Sequence, residues 1–312
     1  MAILLSVIGL GLLILGGEVL VRNAAGLALK AGMSPLFVGL TVVAMGTSSP
    51  ELAASLGAAF NGLGGLALGN VVGSNIANIG LVLGLAALAR PLDVKPRLVR
   101  WDLPLMIVAL IALFLMLSDR FLGRLEGSFL AAGLVAYVVI SATLSRKPRD
   151  KGPGDWKKRE PRPAGHLWAP LLGVGLGLLL LVYGGRILVQ GAASVAAEFG
   201  VTDAMIGLTV VAVGTSLPEL VTSLIAVAKG HHDIALGNVV GSNLFNTLFV
   251  LGVTGSVTPV GSSSVRFGDL VVMMGMSVLL LPFLWTRSRL GRWEGGLLFV
   301  AYIAYTAWVV AR

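Results

Sequence analysis

The sequence has no cysteine, which excludes disulfides, thiolate metal sites and thiol nucleophiles. Only 12% of its residues are charged, about half the share found in soluble domains. Fifteen acidic residues stand against 23 basic ones, and only three histidines occur, His166, His231 and His232, all in stretches read as loops. Zinc, copper and nickel thus lack the ligands they favour. What the chain has instead is apolar surface: 56% hydrophobic residues and 42 glycines, as in membrane helices whose small residues let backbones approach closely. The formal charge of +8 does not point to nucleic acid, because the basic residues lie in short loops, as they do beside membranes. The lipid bilayer is the expected partner. No cofactor and no obligate protein partner is expected.

The opening MAILLSVIGLGLLILGG lacks a basic leader and a polar cleavage segment, so a first membrane helix is expected there, not a removable signal. Apolar runs place ten spans of about 20 residues each, at roughly 2–22, 34–60, 65–89, 103–118, 123–145, 167–197, 202–228, 233–256, 268–285 and 293–311. The fold class predicted is an all-α polytopic membrane protein. One long polar stretch, 146–166, is rich in Pro, Gly and charge and too short for a regulatory domain. It links 1–145 to 167–312, five spans each. With this linker in the cytoplasm, 17 basic residues fall inside and four outside, so both termini are expected outside a plasma (inner) membrane. Because each half has an odd number of spans, the second enters the bilayer inverted, an architecture recurrent in secondary transporters.

The halves repeat one another. Gly39–Ser55 (GLTVVAMGTSSPELAAS) matches Gly207–Ser223 (GLTVVAVGTSLPELVTS) at 13 of 17 positions, and Ala67–Asn75 (ALGNVVGSN) recurs unchanged as Ala235–Asn243. The repeated units run over 39–78 and 207–246. Outside them, Gly16-Gly17 pairs with Gly184-Gly185, Pro91 with Pro259, and Gly123-Arg124-x-Glu126-Gly127 with Gly291-Arg292-x-Glu294-Gly295. These flanking matches are expected to be structural. Glu18, whose equivalent is Arg186, reads either as the i,i+4 partner of Arg22 one turn away or as a group touching the transported ions, and the pairing is the expectation.

Each repeat puts a glutamate, Glu51 or Glu219, inside an apolar run just after Gly-Thr-Ser-x-Pro. An acid at membrane depth marks a functional site by default. Proline cannot donate to the carbonyl four residues back, so Pro50 frees that of Gly46, and Pro218 that of Gly214, with the glycine easing unwinding. A freed carbonyl in hydrocarbon needs protein, water or an ion. Thr47, Ser48 and Glu51 then add hydroxyl and carboxylate oxygens. Ser74 and Asn78, four apart on one helical face, add more, whereas Asn70, Asn75, Asn238 and Asn243 read either as ligands or as helix–helix glue. Two inverted halves bring these oxygens together near the midplane. Such an all-oxygen site with two carboxylates suits Ca2+, which tolerates irregular coordination better than Mg2+. Two carboxylates this close must hold Ca2+, several Na+ or protons, and a site too costly to cross empty would enforce exchange.

At these residues the chain resembles the cation/Ca2+ exchanger superfamily, specifically its sodium/calcium exchangers of prokaryotic type. The resemblance spans nearly the whole chain. It implies ten helices in two inverted five-helix repeats with helices broken at the ion site, alternating access, and exchange of several Na+ for one Ca2+. It places ligands on the Ala44 carbonyl, Thr47, Ser48, Glu51, Ser74 and Asn78, and on the Ala212 carbonyl, Thr215, Ser216, Glu219, Ser242 and Asn246. Glu51 and Glu219 are the central Ca2+ ligands in this picture, the others shaping Na+ sites. Relatives that use potassium carry aspartate where Asn78 or Asn246 stands, so the amides here argue against K+ co-transport. The proton-coupled branch has GNxxE-type repeats, which this chain lacks.

Rival readings are a Ca2+/H+ antiporter, a K+-dependent exchanger, a passive cation channel and an intramembrane hydrolase using Ser48 or Ser216. Two deep acids surrounded by ligating oxygens favour tight binding over conduction. The hydrolase lacks a histidine or lysine base at membrane depth, so no enzymatic activity is expected.

Overall fold

Backbone polar groups in lipid must be satisfied within the segment that carries them, so apolar spans fold as helices. The computed structural model of the chain describes residues 2–145, 167–198, 212–262 and 265–311 and is mostly helical. In the first half come α1 (Ala2–Ala31), the two pieces α2a (Pro35–Thr47) and α2b (Ser49–Phe60), α3 (Gly64–Ala89), α4 (Leu98–Asp119) and α5 (Arg124–Ser145). In the second come α6 (Trp168–Glu198), α7a (Ala212–Thr215) and α7b (Leu217–Ala228), α8 (His232–Val257), α9 (Phe267–Arg287) and α10 (Arg292–Val310). Among the described residues, eight helices can each cross a membrane alone, and the bent pair α2a–α2b makes a ninth. The expected seventh span is represented by α7a and α7b; its start, within 199–211, and the expected linker 146–166 lie outside the described residues.

Two boundaries differ from the sequence reading. Helix α1 runs on from the expected end at 22 to Ala31, because the stretch after Arg22 stays rich in alanine and leucine. It stops at Gly32, whose φ of +65° is a left-handed conformation that glycine adopts without strain. Helix α4 starts at Leu98 instead of 103, its first turn π-helical over Leu98–Asp102.

The repeats interlock across the whole fold. Helices α1 and α6 lie together along their length through glycines seven residues apart: a Cβ at Gly9, Gly16, Gly177 or Gly184 would fall 2.4–2.8 Å from backbone of the opposite helix. Helix α5 packs on α8 where Gly127 meets Gly252, and α10 packs on α3 where Gly295 meets Gly84, the same contact repeated by the other half. Short antiparallel strands form two clips between the halves, Leu92–Asp93 with Arg289–Leu290 and Phe121–Leu122 with Val260–Gly261. Within the first half these strands flank α4, so the clips lie at opposite ends of the spans. The flanking motifs are therefore structural, as expected: Pro91 and Pro259 precede the clip strands, Gly123 N donates to Glu126 Oε2 at 2.7 Å, and Gly127 and Gly295 allow close packing. Helices α3 and α8 are enclosed by the rest and carry the repeated asparagines.

Candidate functional site

Ser34 opens α2a, its hydroxyl accepting from Phe37 N at 3.2 Å, with Pro35 in the first turn where a missing N–H costs nothing. The helix bends by 42° at Ser48. The break falls two residues before Pro50, at φ −84°, ψ 5°, with Ser216 matching at φ −87°, ψ 3°. Proline therefore starts the second helical piece, and Glu51 and Glu219 sit in the first turns of α2b and α7b, the positive end of a helix dipole. Gly46 also has a role the sequence did not suggest: the position of its absent Cβ is filled by Leu178 of α6.

Both carboxylates are fully buried, and the charge of Glu219 acts on Glu51. Glu219 Oε1 accepts from Ser48 Oγ of the opposite half at 3.3 Å and from Ser242 Oγ at 3.4 Å. Its Oε2, and both oxygens of Glu51, have no hydrogen-bond partner among the described residues. Ser74 stands beside Glu51. The Thr47 hydroxyl is 3.1 Å from Asn238 Oδ1, 3.3 Å from the Ala44 carbonyl and 3.4 Å from Ser242 Oγ, so its one proton serves one of them at a time. The Ala44 carbonyl also accepts from Ser48 N at 3.0 Å. Ser216 Oγ, Asn78 Oδ1 and both polar atoms of Asn246 are buried without partners among the described residues. Thr215 closes α7a, half-buried, and Ala212 opens it.

The four undecided asparagines divide into two kinds. Asn70 Nδ2 donates to the Glu51 carbonyl at 3.2 Å and to Ser55 Oγ at 3.0 Å; Asn238 Nδ2 repeats this with the Glu219 carbonyl at 3.3 Å and Ser223 Oγ at 3.1 Å. They hold the glutamate-bearing helices to α3 and α8, and their donors face backbone. Asn75 and Asn243 instead join the halves: Asn78 Nδ2 donates to Asn243 Oδ1 at 3.1 Å, Asn243 Nδ2 to the Asn75 carbonyl at 3.3 Å, and Asn75 Nδ2 to Thr247 Oγ1 at 3.0 Å. Sequence reasoning missed Thr247 and the π-helical turns that begin at Asn78 and Asn246 (Asn78–Leu83, Asn246–Val250); such turns leave no mark in composition and recur at functional sites.

Other residues lie apart. Glu18 is half-exposed and pairs with Lys229 at the end of α7b, not with Arg22 as expected. The reason is geometric: Lys229 comes from a neighbouring helix that packs on α1. His232 begins α8, where its Nδ1 accepts from Asp93 N at 3.2 Å, and His231 precedes it. Two aspartate–tyrosine pairs at matched places were not foreseen, Asp102 with Tyr137 at 3.2 Å and Asp269 with Tyr305 at 3.1 Å; they tie α4 to α5 and α9 to α10.

The site thus offers carboxylate, hydroxyl, amide and carbonyl oxygens. No group of three or more His, Cys, Asp or Glu side chains suited to a metal occurs among the described residues. Hard cations are the chemistry this donor set fits.

Known proteins match along the whole chain. The family described as "Sodium/calcium exchanger protein" matches residues 1–143 and 169–311. The inner membrane protein YrbG of Escherichia coli (strain K12) is 36% identical over 99% of this chain and 98% of its own. The sodium/calcium exchanger MaX1 of Methanosarcina acetivorans is 32% identical over 97% of this chain and 96% of its own. Among solved structures, the sodium-calcium exchanger NCX_Mj soaked with zero Na+ and Ca2+ superposes with a TM-score of 0.85, at 30% identity and 98% coverage of both chains. The chain belongs to the sodium/calcium exchanger family, a multi-pass membrane protein with the fold of a cation/Ca2+ exchanger.

Proposed function

We propose that this family member is a secondary antiporter that exchanges several Na+ for Ca2+ by alternating access, with Glu51 and Glu219 as the central Ca2+ ligands. Thr47, Ser48, Ser74, Asn78 and their counterparts Thr215, Ser216, Ser242 and Asn246 complete the Ca2+ site and the flanking Na+ sites, with the carbonyls of Ala44 and Ala212. One observation carries the reading: each repeat contributes one fully buried carboxylate, Ser48 of the first repeat donates to the Glu219 carboxylate of the second, and three of the four carboxylate oxygens lack a hydrogen-bond partner among the described residues. An unpaired carboxylate in a low-dielectric interior is costly, so the pair calls for cations. When one Ca2+ or several Na+ neutralise it, the loaded site crosses the membrane barrier, and when empty it does not. That asymmetry couples the two fluxes.

The halves 1–145 and 167–312 are the inverted units between which the ions bind, and the linker 146–166 faces the cytoplasm of a plasma (inner) membrane with both termini outside. Because the chain has no cysteine, a single Lys151→Cys variant reports on orientation: an impermeant maleimide labels it in inverted vesicles and not in intact cells.

The deciding experiment is radioactive calcium uptake into proteoliposomes under outward gradients of Na+, K+ or H+. An outward Na+ gradient alone drives concentrative uptake. Uptake that ignores internal Na+ identifies a channel and overturns the proposal, and uptake driven by an H+ gradient makes the protein a Ca2+/H+ antiporter.

A further inference from the structure

Four asparagines occupy matched positions where α3 and α8 meet: Asn75 and Asn78 on one, Asn243 and Asn246 on the other, all buried. An amide has one end that binds a cation and one that repels it. A ligand amide therefore works only if something else takes its N–H groups. For Asn78 that partner is Asn243, whose Oδ1 accepts from Asn78 Nδ2 at 3.1 Å. Chemistry fixes the orientation of both. Asn243 Nδ2 faces the backbone carbonyl of Asn75 at 3.3 Å, a carbonyl only accepts, and so Asn243 must turn its oxygen to Asn78. Asn78 Oδ1 is left buried and without a hydrogen-bond partner among the described residues.

The equivalent bond in the other half would run from Asn246 Nδ2 to Asn75 Oδ1. It is not made. Asn75 directs its Nδ2 to Thr247 Oγ1 at 3.0 Å, with Met273 Sδ at 3.7 Å, and Asn75 Oδ1 and both polar atoms of Asn246 have no partner among the described residues. The two ligand amides each open a π-helical turn, where the helical ladder is locally re-registered.

We infer that Asn243 and Asn75 are positioning residues that set which end of the Asn78 and Asn246 amides faces the transported ions: Asn243 is engaged on Asn78, and Asn75 is disengaged from Asn246. Neither positioning residue ligates an ion; each acts through its partner amide. The inference rests on the reading of Asn78 and Asn246 as ion ligands, and the test separates the two.

The full chain is reconstituted in proteoliposomes, and the internal Na+ concentration giving half-maximal Ca2+ uptake is measured. Asn78→Ala tests the ligand reading first: an unchanged half-saturation removes Asn78 as a ligand, and this inference with it. If Asn78→Ala weakens Na+ binding, Asn243→Leu raises the half-saturating concentration by roughly tenfold to a hundredfold, the usual cost of losing an outer-shell partner. The double variant is then no worse than Asn78→Ala alone, because the oxygen that Asn243 orients is already gone. Asn243→Asp keeps the acceptor for Asn78 Nδ2 and restores most of the loss. Should Asn243→Leu misfold, Asn243→Ser replaces it with the same expectations. A weakened Asn78→Ala combined with an unaffected Asn243 variant overturns the inference. So do effects that multiply in the double variant, or an Asn243→Asp no better than Asn243→Leu.

Discussion

The two repeats carry nearly the same residues around their glutamates, yet bond them differently. In both, an asparagine (Asn70 or Asn238) clamps the backbone carbonyl of the glutamate and the serine four residues on. The carboxylates then part company across the halves: Glu219 accepts from Ser48 of the opposite half as well as from Ser242 of its own, whereas Glu51 has Ser74 of its own half beside it and Ser216 Oγ of the opposite half stays unpartnered among the described residues. The amides diverge in the same way, Asn78 being held and Asn246 not. Symmetry is thus kept in the asparagine clamps on the glutamate carbonyls and broken in the contacts of Ser48 and of the amides that join the halves. One motif supports two hydrogen-bonding states, and an inverted-repeat exchanger needs an element with two states of similar energy.

The largest effect should come from the residues the halves share. Glu51→Gln or Glu219→Gln each keeps shape and removes the charge, and Na+-driven Ca2+ uptake is expected to fall to background with the gel-filtration profile intact. Retained uptake in both variants would dissolve the comparison altogether, since the carboxylates would then be bystanders.

Protons compete with cations for two buried carboxylates, so uptake should decline steadily from neutral pH to about 5. Asn246→Asp puts a third acid where the amide is unheld, and is expected to steepen that decline or confer sensitivity to K+. A rate flat over this range, together with a silent Asn246→Asp, would mean that neither half titrates during transport.

Ser48→Ala and Ser216→Ala read the asymmetry directly. Losing a hydroxyl donated to a charged group costs about 1.5–3 kcal/mol, roughly tenfold or more in affinity. Ca2+ half-saturation should shift more for Ser48→Ala than for Ser216→Ala. Equal shifts would mean that both bonds form in every state.

Smallest of all is Glu18→Gln. The pair with Lys229 is half-exposed, and surface ion pairs contribute about 0–1 kcal/mol, so thermal unfolding in detergent should barely move and transport should persist. A collapse of Ca2+ uptake would bring Glu18 into the ion path.

Much of this protein could be read before any coordinates. The offset repeat, the polar linker and the apolar spans define an inverted ten-helix plan, because lipid leaves the backbone few other options. The buried acids of the repeats mark the candidate site, because charge at membrane depth is costly. Local patterns said less about what each side chain meets. They assigned Glu18 to Arg22 by helical spacing, although its partner arrives from α7b. They gave Gly46 to unwinding, although Leu178 fills its place. They left Asn70 and Asn75 in one class, although one grips backbone and the other faces the opposite repeat. Sequence determines periodicity, charge and internal homology, which are properties of the chain taken alone. Which of two equivalent amides is held, and which carboxylate receives the serine of the opposite half, depends on atoms that meet only after both halves have packed, and the nearly identical motifs do not show that difference on their face.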